Sequence, residues 1–245
     1  MKTQFTLATC IALITPCVLA DIEIQMQDPE GTITTFWLGE HKVKMATQDT
    51  SGYVIVDVSK QMQFLIDHNE KMVIDVTEGL NDTLSPPADD PQSAPADKVQ
   101  IKIEKVGDGP EIVGFKSDKY EVKADDTLCS VEYLSTEPFR HPEVVKLLEV
   151  MALLGESEDI TNDALYKPCE QAELTLERQY QTYGIPLRSI NADGVVTSEV
   201  VQFQVKDVPS STYDFPPNYK LTSMRELLQE QIEDMAPPGA PPGHP

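Results

Sequence analysis

The sequence predicts an α+β fold in which helices cover an antiparallel β-sheet. Apolar residues alternate with period two through residues 21–76, short polar corners separate these segments, and a later segment has a strongly apolar helical pattern. Corners this short permit hairpins and exclude helical crossovers, so neighbouring strands are expected to be antiparallel. With 245 residues, 40% of them apolar and 24% charged, the chain has the composition of a globular protein.

The chain is strongly acidic. It has 41 Asp and Glu residues against 19 Lys and Arg, a formal net charge of −22. A polyanionic protein gains nothing from neutralising phosphates, so the charge disfavours nucleic acid and anionic membrane surfaces as partners.

The first 20 residues have the pattern of a cleaved secretory signal. Lys2 gives a positive start, the run Phe5–Leu19 is apolar, and small residues precede a cut between Ala20 and Asp21. A retained anchor is the alternative, but the run is shorter than the roughly 20 residues that a spanning helix needs. No later stretch is long and apolar enough to span a bilayer. We therefore expect an exported protein, in the periplasm or, alternatively, secreted.

Export leaves two cysteines in an oxidising compartment. Cys10 and Cys17 leave with the signal, so the mature chain keeps Cys129 and Cys169. We predict that these two form a disulfide. Two free, buried thiols are the alternative, because neither cysteine lies in a redox or zinc spacing such as C-x-x-C.

Residues 21–76 predict a meander of short strands. The alternating or apolar segments are Ile22–Met26, Ile33–Trp37, Val43–Met45, Tyr53–Val58, Met62–Ile66 and Met72–Val76. The segments around Phe36–Leu38 and Tyr53–Val58 are apolar on both faces. Both sides of the sheet therefore need cover.

Between Asn81 and Asp97 the alternation stops. This stretch contains four prolines, four aspartates and a single large apolar residue, Leu84, so we expect a mobile insertion. Strand patterns resume in Val99–Ile103, Tyr120–Val122 and Leu128–Leu134. We favour one sheet domain, residues 21–222, interrupted by this insertion, over two domains, because neither flank has enough helix to cover its own strands.

The first helix is predicted from Pro142 to Gly155. Proline suits the first helical position and glycine the end. Between them only Glu143, Lys146 and Glu149 form a thin charged stripe. A helix this apolar has to be covered over most of its circumference.

Two further helices and one hairpin follow. A second helix is predicted from near Pro168 to Thr182, and Asp193-Gly194 predicts a hairpin. Residues 223–245 are predicted to form an amphipathic helix, started by a capping box of Ser223 and Glu226, and a disordered Pro/Gly tail. This helix either docks on the domain or serves as an arm that binds a partner.

The sequence carries no strong catalytic, metal or cofactor motif. The histidines are widely separated, and no G-x-S-x-G, P-loop or G-x-G-x-x-G pattern occurs. We therefore expect no catalytic residues, no metal and no cofactor. A hydrolase of unknown type stays as the last alternative, which a polar cleft with convergent, desolvated carboxylates would revive.

Several short motifs follow one another along the chain in a characteristic order. They are Phe36-Trp37-Leu38-Gly39 with Lys42-Val43-Lys44, Tyr53–Asp57 entering Ser59-Lys60-Gln61-Met62, Gly114-Phe115 to Tyr120-Glu121-Val122, Gly184-Ile185-Pro186-Leu187, and Val208-Pro209 to Phe215-Pro216 and Tyr219-Lys220. In this order they resemble a family of exported bacterial proteins of unknown function that looks like a relative of the periplasmic lipoprotein-carrier (Lol) superfamily. The chain departs from that pattern at Lys44, where arginine is expected, at Ser117, where cysteine is common, and in the insertion.

The resemblance implies a strongly curved antiparallel sheet, an incompletely closed barrel, whose concave face is covered by helices and can hold acyl chains. The apolar residues themselves leave two possibilities. The space between the sheet and the helix Val144–Leu154 is either filled by core side chains or partly empty.

The leading hypothesis is therefore a non-enzymatic carrier or sensor of a lipid or lipoprotein-like amphiphile. The candidate wall residues are Phe36, Trp37, Tyr53, Phe64, Leu147, Met151 and Leu154. The alternative is an envelope interaction module that uses the acidic C-terminal helix to bind a protein partner.

Overall fold

The computed structural model describes residues 21–48, 50–77, 99–155 and 167–235, with the backbone alone in 151–155 and 231–235. The predicted signal, the insertion and the Pro/Gly tail lie outside the described residues. The strands are β1 Asp21–Gln27, β2 Ile33–Leu38, β3 Lys42–Thr47, β4 Gly52–Asp57, β5 Met62–Asp67, β6 Met72–Asp75, β7 Ile101–Asp108, β8 Asp118–Ala124, β9 Thr127–Ser135, β10 Ile185–Asn191, β11 Val196–Lys206 and β12 Lys220–Ser223. The helices are α1 Pro142–Gly155, α2 Pro168–Glu177, α3 Tyr180–Tyr183 and α4 Met224–Met235, with 3-10 turns at Glu137–Arg140 and Ser210–Tyr213.

These twelve strands form one sheet in the order β12-β6-β5-β4-β3-β2-β1-β11-β10-β9-β8-β7. Two antiparallel meanders, β1–β6 and β7–β11, are joined where β1 pairs with β11, from Asp21 opposite Lys206 to Gln27 opposite Glu199. The two edge strands do not pair, so the curved sheet stays open. The predicted fold class, a curved and incompletely closed antiparallel sheet with covering helices, is confirmed.

One strand departs from the antiparallel pattern. β12 pairs in parallel with β6, Lys220 opposite Met72 and Ser223 opposite Asp75. A parallel neighbour requires a long connection, and here the chain reaches this edge only after completing both meanders.

The concave face carries the main core. Ile22 and Ile24 of β1 and Leu38 of β2 lie with Val144 and Leu148 of α1 in one buried apolar cluster. The bounds of α1 are those predicted from Pro142 and Gly155. The apolar face of the alternating strands thus packs against the apolar surface of α1 in one interface.

The predicted second helix is divided in two. α2 ends at Glu177, and Gln179 has left helical geometry at φ −109° and ψ 9° before α3 begins. Ala172 and Leu176 of α2 pack in a second buried cluster, and Tyr180 of α3 contacts both this cluster and the main one. The break therefore lets one segment cover two parts of the sheet.

The convex face is covered at the β4–β6 end. Ile55, Phe64 and Ile66 form a third buried cluster against which Tyr219 packs. The ring of Phe215 meets that of Phe64 edge to face, with centroids 4.8 Å apart. The segment before β12 thus supplies the second cover that the doubly apolar strands require.

The predicted disulfide is confirmed. Cys129 of β9 and Cys169 of α2 are bonded, at a sequence separation of 40. The bridge fixes α2 to the strand beneath it.

Removing this bridge by Cys129→Ser together with Cys169→Ser is expected to lower the stability by about 4 kcal/mol, because a closed loop of this length restricts the unfolded chain. Thermal denaturation measures the effect. Adding reductant to the unmodified protein should reproduce it and should not change the double variant further. If reductant did not change the melting temperature of the unmodified protein, the result would contradict the bridge.

A second prediction concerns Gly184, where α3 turns into β10 at φ 110° and ψ 167°. A Cβ there would lie 2.4 Å from the backbone carbonyl carbon of Ser135. We expect Gly184→Ala to cost about 3 kcal/mol or more, from the clash and the glycine-only backbone conformation together. Gly194, with φ 80° and open space around it, is the matched control, and Gly194→Ala should cost about 1–2 kcal/mol. Equal losses in urea denaturation would contradict the clash.

Candidate ligand-binding cavity

A cavity of about 400 Å³ lies between the concave face and the helices. Its volume falls in the range of small-molecule sites, roughly 300–1,000 Å³. The apolar residues that line it are Ile24, Met26, Phe36, Leu147, Leu148, Leu176, Ile185, Pro186 and Val200. The walls therefore come from β1, β2, β10 and β11 on one side and from α1 and α2 on the other.

The cavity exists because the two longer helices over this face cover different strands. α1 packs on β1 and β2, whereas α2 packs on β7, β8 and β9. In the strand order β10 and β11 lie between these two sets. The short helix α3 contacts α1 and β10 and closes part of the gap, and the rest of the gap is the cavity over the middle of the sheet.

The other side of α1 is closed. Where Leu147 and Val150 face Phe36, Val43 and Val56, the remaining gap is only about 10 Å³. Both possibilities left by the sequence therefore occur in one molecule. The core over β2–β4 is filled, and the space over β10 and β11 is not.

Two of the predicted wall residues, Phe36 and Leu147, line this cavity. Trp37 is on the opposite face of β2 from Phe36, since successive strand residues alternate. Met151 and Leu154 lie in the last turn of α1, where side chains are not described.

Tyr53 and Phe64 belong to the covered cluster on the convex face. The Nζ atom of Lys44 lies 3.9 Å from the ring centre of Tyr53 and 5.3 Å from that of Trp37. Burial lowers the pKa of this lysine. Tyr53 and Trp37 thus help to hold a half-buried cation on the face away from the cavity.

Beside them Glu23 organises the convex face. Its Oε2 accepts a hydrogen bond from Nε1 of Trp37 at 2.7 Å and forms an ion pair with Nζ of Lys206 at 2.6 Å. Burial tends to raise the pKa of Glu23, but the bonds from Lys206 and Trp37 outweigh it and hold the pKa below its usual value. Glu23, Trp37 and Lys206 thus have hydrogen-bond or ion-pair partners on this face and contribute to its packing.

The cavity also has a polar part, centred on Glu132 of β9. This side chain is 5% exposed and lines the cavity. Its Oε2 accepts a hydrogen bond from Oγ of Ser189 at 2.6 Å. Burial raises the pKa of Glu132; the hydroxyls of Ser189 and Ser130 oppose the shift, and the charge of Glu173 adds to it.

Further polar side chains surround this carboxyl. Ser130 is 4% exposed and lines the cavity, and its Oγ forms no well-formed hydrogen bond but lies beside the carboxyl of Glu132. Glu173 and Glu177 of α2 lie at the exposed rim, and Tyr180 of α3 completes the wall. Partial burial raises the pKa of Glu173, with a smaller contribution from Glu170. No Lys, Arg or His is among the described residues that line this space.

This polar part was missed at the sequence level. In Leu128–Leu134 both sets of alternate positions contain apolar residues, so parity alone does not say which side chains face inward. A bulge at Cys129, between the pairs Lys123–Leu128 and Val122–Ser130, sets the inward positions. The one available signal was a glutamate between two apolar neighbours in a strand.

The arrangement gives little support to an acid/base pair. Hydrolytic pairs need one carboxyl held neutral and one held ionised, whereas the pKa values of Glu132 and Glu173 are raised together. Within the described residues no group of three His, Cys, Asp or Glu side chains could hold a metal ion. None of the described helices is long and apolar enough to cross a membrane.

No family model and no curated protein matches the chain. Two solved structures show a low similarity: the crystal structure of MucB, with 9% identity and a TM-score of 0.36 over 84% of this chain, and MucB in complex with MucA(peri), with 10% identity and a TM-score of 0.37 over 83%. The chain spans 60% and 57% of the length of those two chains.

The raised pKa of Glu132 makes a prediction about stability. The folded protein favours the neutral carboxyl of Glu132. The ionised carboxyl therefore lowers the free energy of unfolding as the pH rises from 4.5, the ordinary pKa of glutamate, through the raised pKa of Glu132 in the folded protein. Glu132→Gln does not titrate, so the stability of this variant relative to the unmodified protein should increase over that pH range. The gain is about 1.4 kcal/mol for each unit by which the pKa is raised.

Denaturation in urea between pH 3 and 8 measures this difference, and Glu121→Gln is the control. The hydrogen bond from Lys123 lowers the pKa of Glu121 below its ordinary value of 4.5, so the stability of this second variant relative to the unmodified protein should fall as pH rises towards 4.5 and stay constant at higher pH. A Glu132→Gln difference that stays flat or falls with pH would contradict the assignment.

Proposed function

We propose that this protein is an exported carrier or sensor that binds the acyl chain of a lipid or lipoprotein-like amphiphile between the concave face of its sheet and helices α1 and α2. The observation that supports it is the apolar cavity of about 400 Å³ beside α1. Apolar walls with a few polar groups on one side are typical of sites for amphiphilic ligands.

The free energy of such binding would come from buried apolar area. Each methylene removed from water contributes about 0.8 kcal/mol, so a chain of ten contributes roughly 8 kcal/mol. Association itself costs at least about 4 kcal/mol, which leaves weak to moderate affinity for a simple chain. A tighter natural ligand needs additional contacts from its head group.

Entry and release would involve α1. The disulfide between Cys129 and Cys169 ties α2 to β9. α1 has no such bond and is held over β1 and β2 by apolar contacts and by the hydrogen bond from Nζ of Lys146 to the carbonyl oxygen of Glu40. The helix without a covalent tie is the one expected to move.

Filling the cavity tests this proposal. Val200 of β11 is 3% exposed and lines the cavity, and its neighbour Val201 is 41% exposed and does not. Val200→Phe should weaken the binding of decanol at least about tenfold, because the larger ring displaces several methylenes from apolar surroundings. Val201→Phe should bind decanol like the unmodified protein. Isothermal titration calorimetry measures both.

Melting temperatures of both variants without ligand show whether they fold. Should Val200→Phe be unstable, Ser198→Phe narrows the same cavity from β11. Equal decanol affinity in the cavity and control variants, or no uptake by the unmodified protein, would contradict the proposal. Solvent extraction of protein purified from its host, followed by mass spectrometry, then identifies the natural lipid.

An envelope interaction module is the second proposal, carried by α4. The capping box at its start is present, since the backbone N–H of Glu226 donates to Oγ of Ser223 at 3.2 Å and that of Ser223 donates to Oε2 of Glu226 at 3.0 Å. Leu228 on this helix is 36% exposed, and Leu221 on the adjoining β12 is 64% exposed. A pull-down in which deletion of residues 223–245 changes nothing would count against this role.

A further inference from the structure

We propose that the cavity selects an amphiphile whose head group carries a protonated amine, held by Glu132 and Ser130 while the acyl chain lies against the apolar walls. This inference rests on the proposed function and names the class of ligand. Lipids with carboxylate or phosphate heads are rejected.

The charge of the lining supports the selection. Glu132 comes from β9, and Glu173 and Glu177 come from α2. Tyr180 of α3 is the other titratable group at the cavity, and burial raises its pKa, so it stays neutral. With three carboxyls and no basic side chain in the lining, an anionic head meets like charge inside a space with little water.

Glu132 has neutral groups and no cation beside it among the described residues that line the cavity. Its partners are the hydroxyls of Ser189 and Ser130, and its ionised form is disfavoured by burial. A buried carboxylate gains most from a cation that brings its own hydrogen-bond donors. A primary ammonium has three such donors and forms charge-assisted bonds.

Ser130 adds a second oxygen beside Glu132. Its hydroxyl is buried at the cavity wall, forms no well-formed hydrogen bond, and lies close enough to Glu132 to lower the pKa of that carboxyl. Buried hydroxyls are nearly always fully bonded, so this one retains capacity to bond a ligand. A ligand donor that reaches Glu132 would find the Ser130 oxygen as a second acceptor.

The cavity therefore offers separate walls to the acyl chain and to the head group of the ligand. Ile24, Phe36, Leu148 and Val200 offer only apolar surface, while Ser130, Glu132 and Ser189 come from the adjacent strands β9 and β10. An amphiphile can satisfy both parts at once, but neither a purely apolar molecule nor a small polar amine can.

The experiment compares decylamine, decanol and decanoate, which share one chain length, by calorimetric titration at pH 8. The amine is protonated there, since alkylamines resemble lysine with a pKa of about 10.4. Decylamine is expected to bind at least about tenfold more tightly than decanol, because it adds a charge-assisted bond, and decanoate at least about tenfold more weakly. The amine-to-alcohol ratio should shrink at pH 5, where the carboxyls become protonated.

Three variants locate the effect. In Glu132→Gln the amine-to-alcohol ratio should fall towards one. Ser130→Ala should lower the ratio in part, because it removes one acceptor and lets the pKa of Glu132 rise further. Glu121→Gln, on β8 and outside the cavity lining, should keep the full ratio.

The outcomes separate the two proposals. Equal affinity for all three ligands, or tightest binding of decanoate, overturns the amine selection while leaving chain binding in place. An amine preference that survives Glu132→Gln overturns the assigned residue. Failure of every ligand to bind overturns the proposed function itself.

Discussion

The pairing of β1 with β11 is the constraint on which the rest of the structure depends. These strands are about 180 residues apart in the chain, yet residues Asp21 to Gln27 lie opposite Lys206 to Glu199. This ladder joins two local meanders into one curved surface. Without it the concave face would be two smaller sheets, and α1 and α2 would cover separate cores instead of bordering one space.

The cavity follows from how few helices are available to cover that surface. α1 occupies β1 and β2, α2 is bridged to β9 through Cys129 and Cys169, and β10 and β11 lie between them. Close packing normally removes such space from a core. Here the bridge and the filled contacts of α1 over β2–β4 fix the two longer helices over different strands, so a cavity stays over the middle of the sheet. The inward-facing carboxyl of Glu132 then gives that cavity its polar part.

Local patterns in the sequence predicted much of this architecture. Alternation located the strands, Pro142 and Gly155 bounded α1, and Ser223 with Glu226 started α4, because each depends on neighbours within a few residues. The division between α2 and α3 and the parallel strand β12 depend on tertiary contacts and were not predicted. Phe36 and Leu147 lie at the cavity, whereas Tyr53 and Phe64 lie under a cover that begins more than 140 residues later in the chain. Which apolar stripe borders empty space is a property of the assembled sheet.

The proposed site for an alkyl chain is the space between α1 and strands β10 and β11. A crystal structure of the protein grown with a terminally brominated decyl amphiphile tests this site most directly, since anomalous scattering locates the bromine. We expect one strong peak among Phe36, Leu148 and Val200. A peak only on the outer surface, or side chains filling that space in the crystal, would contradict it.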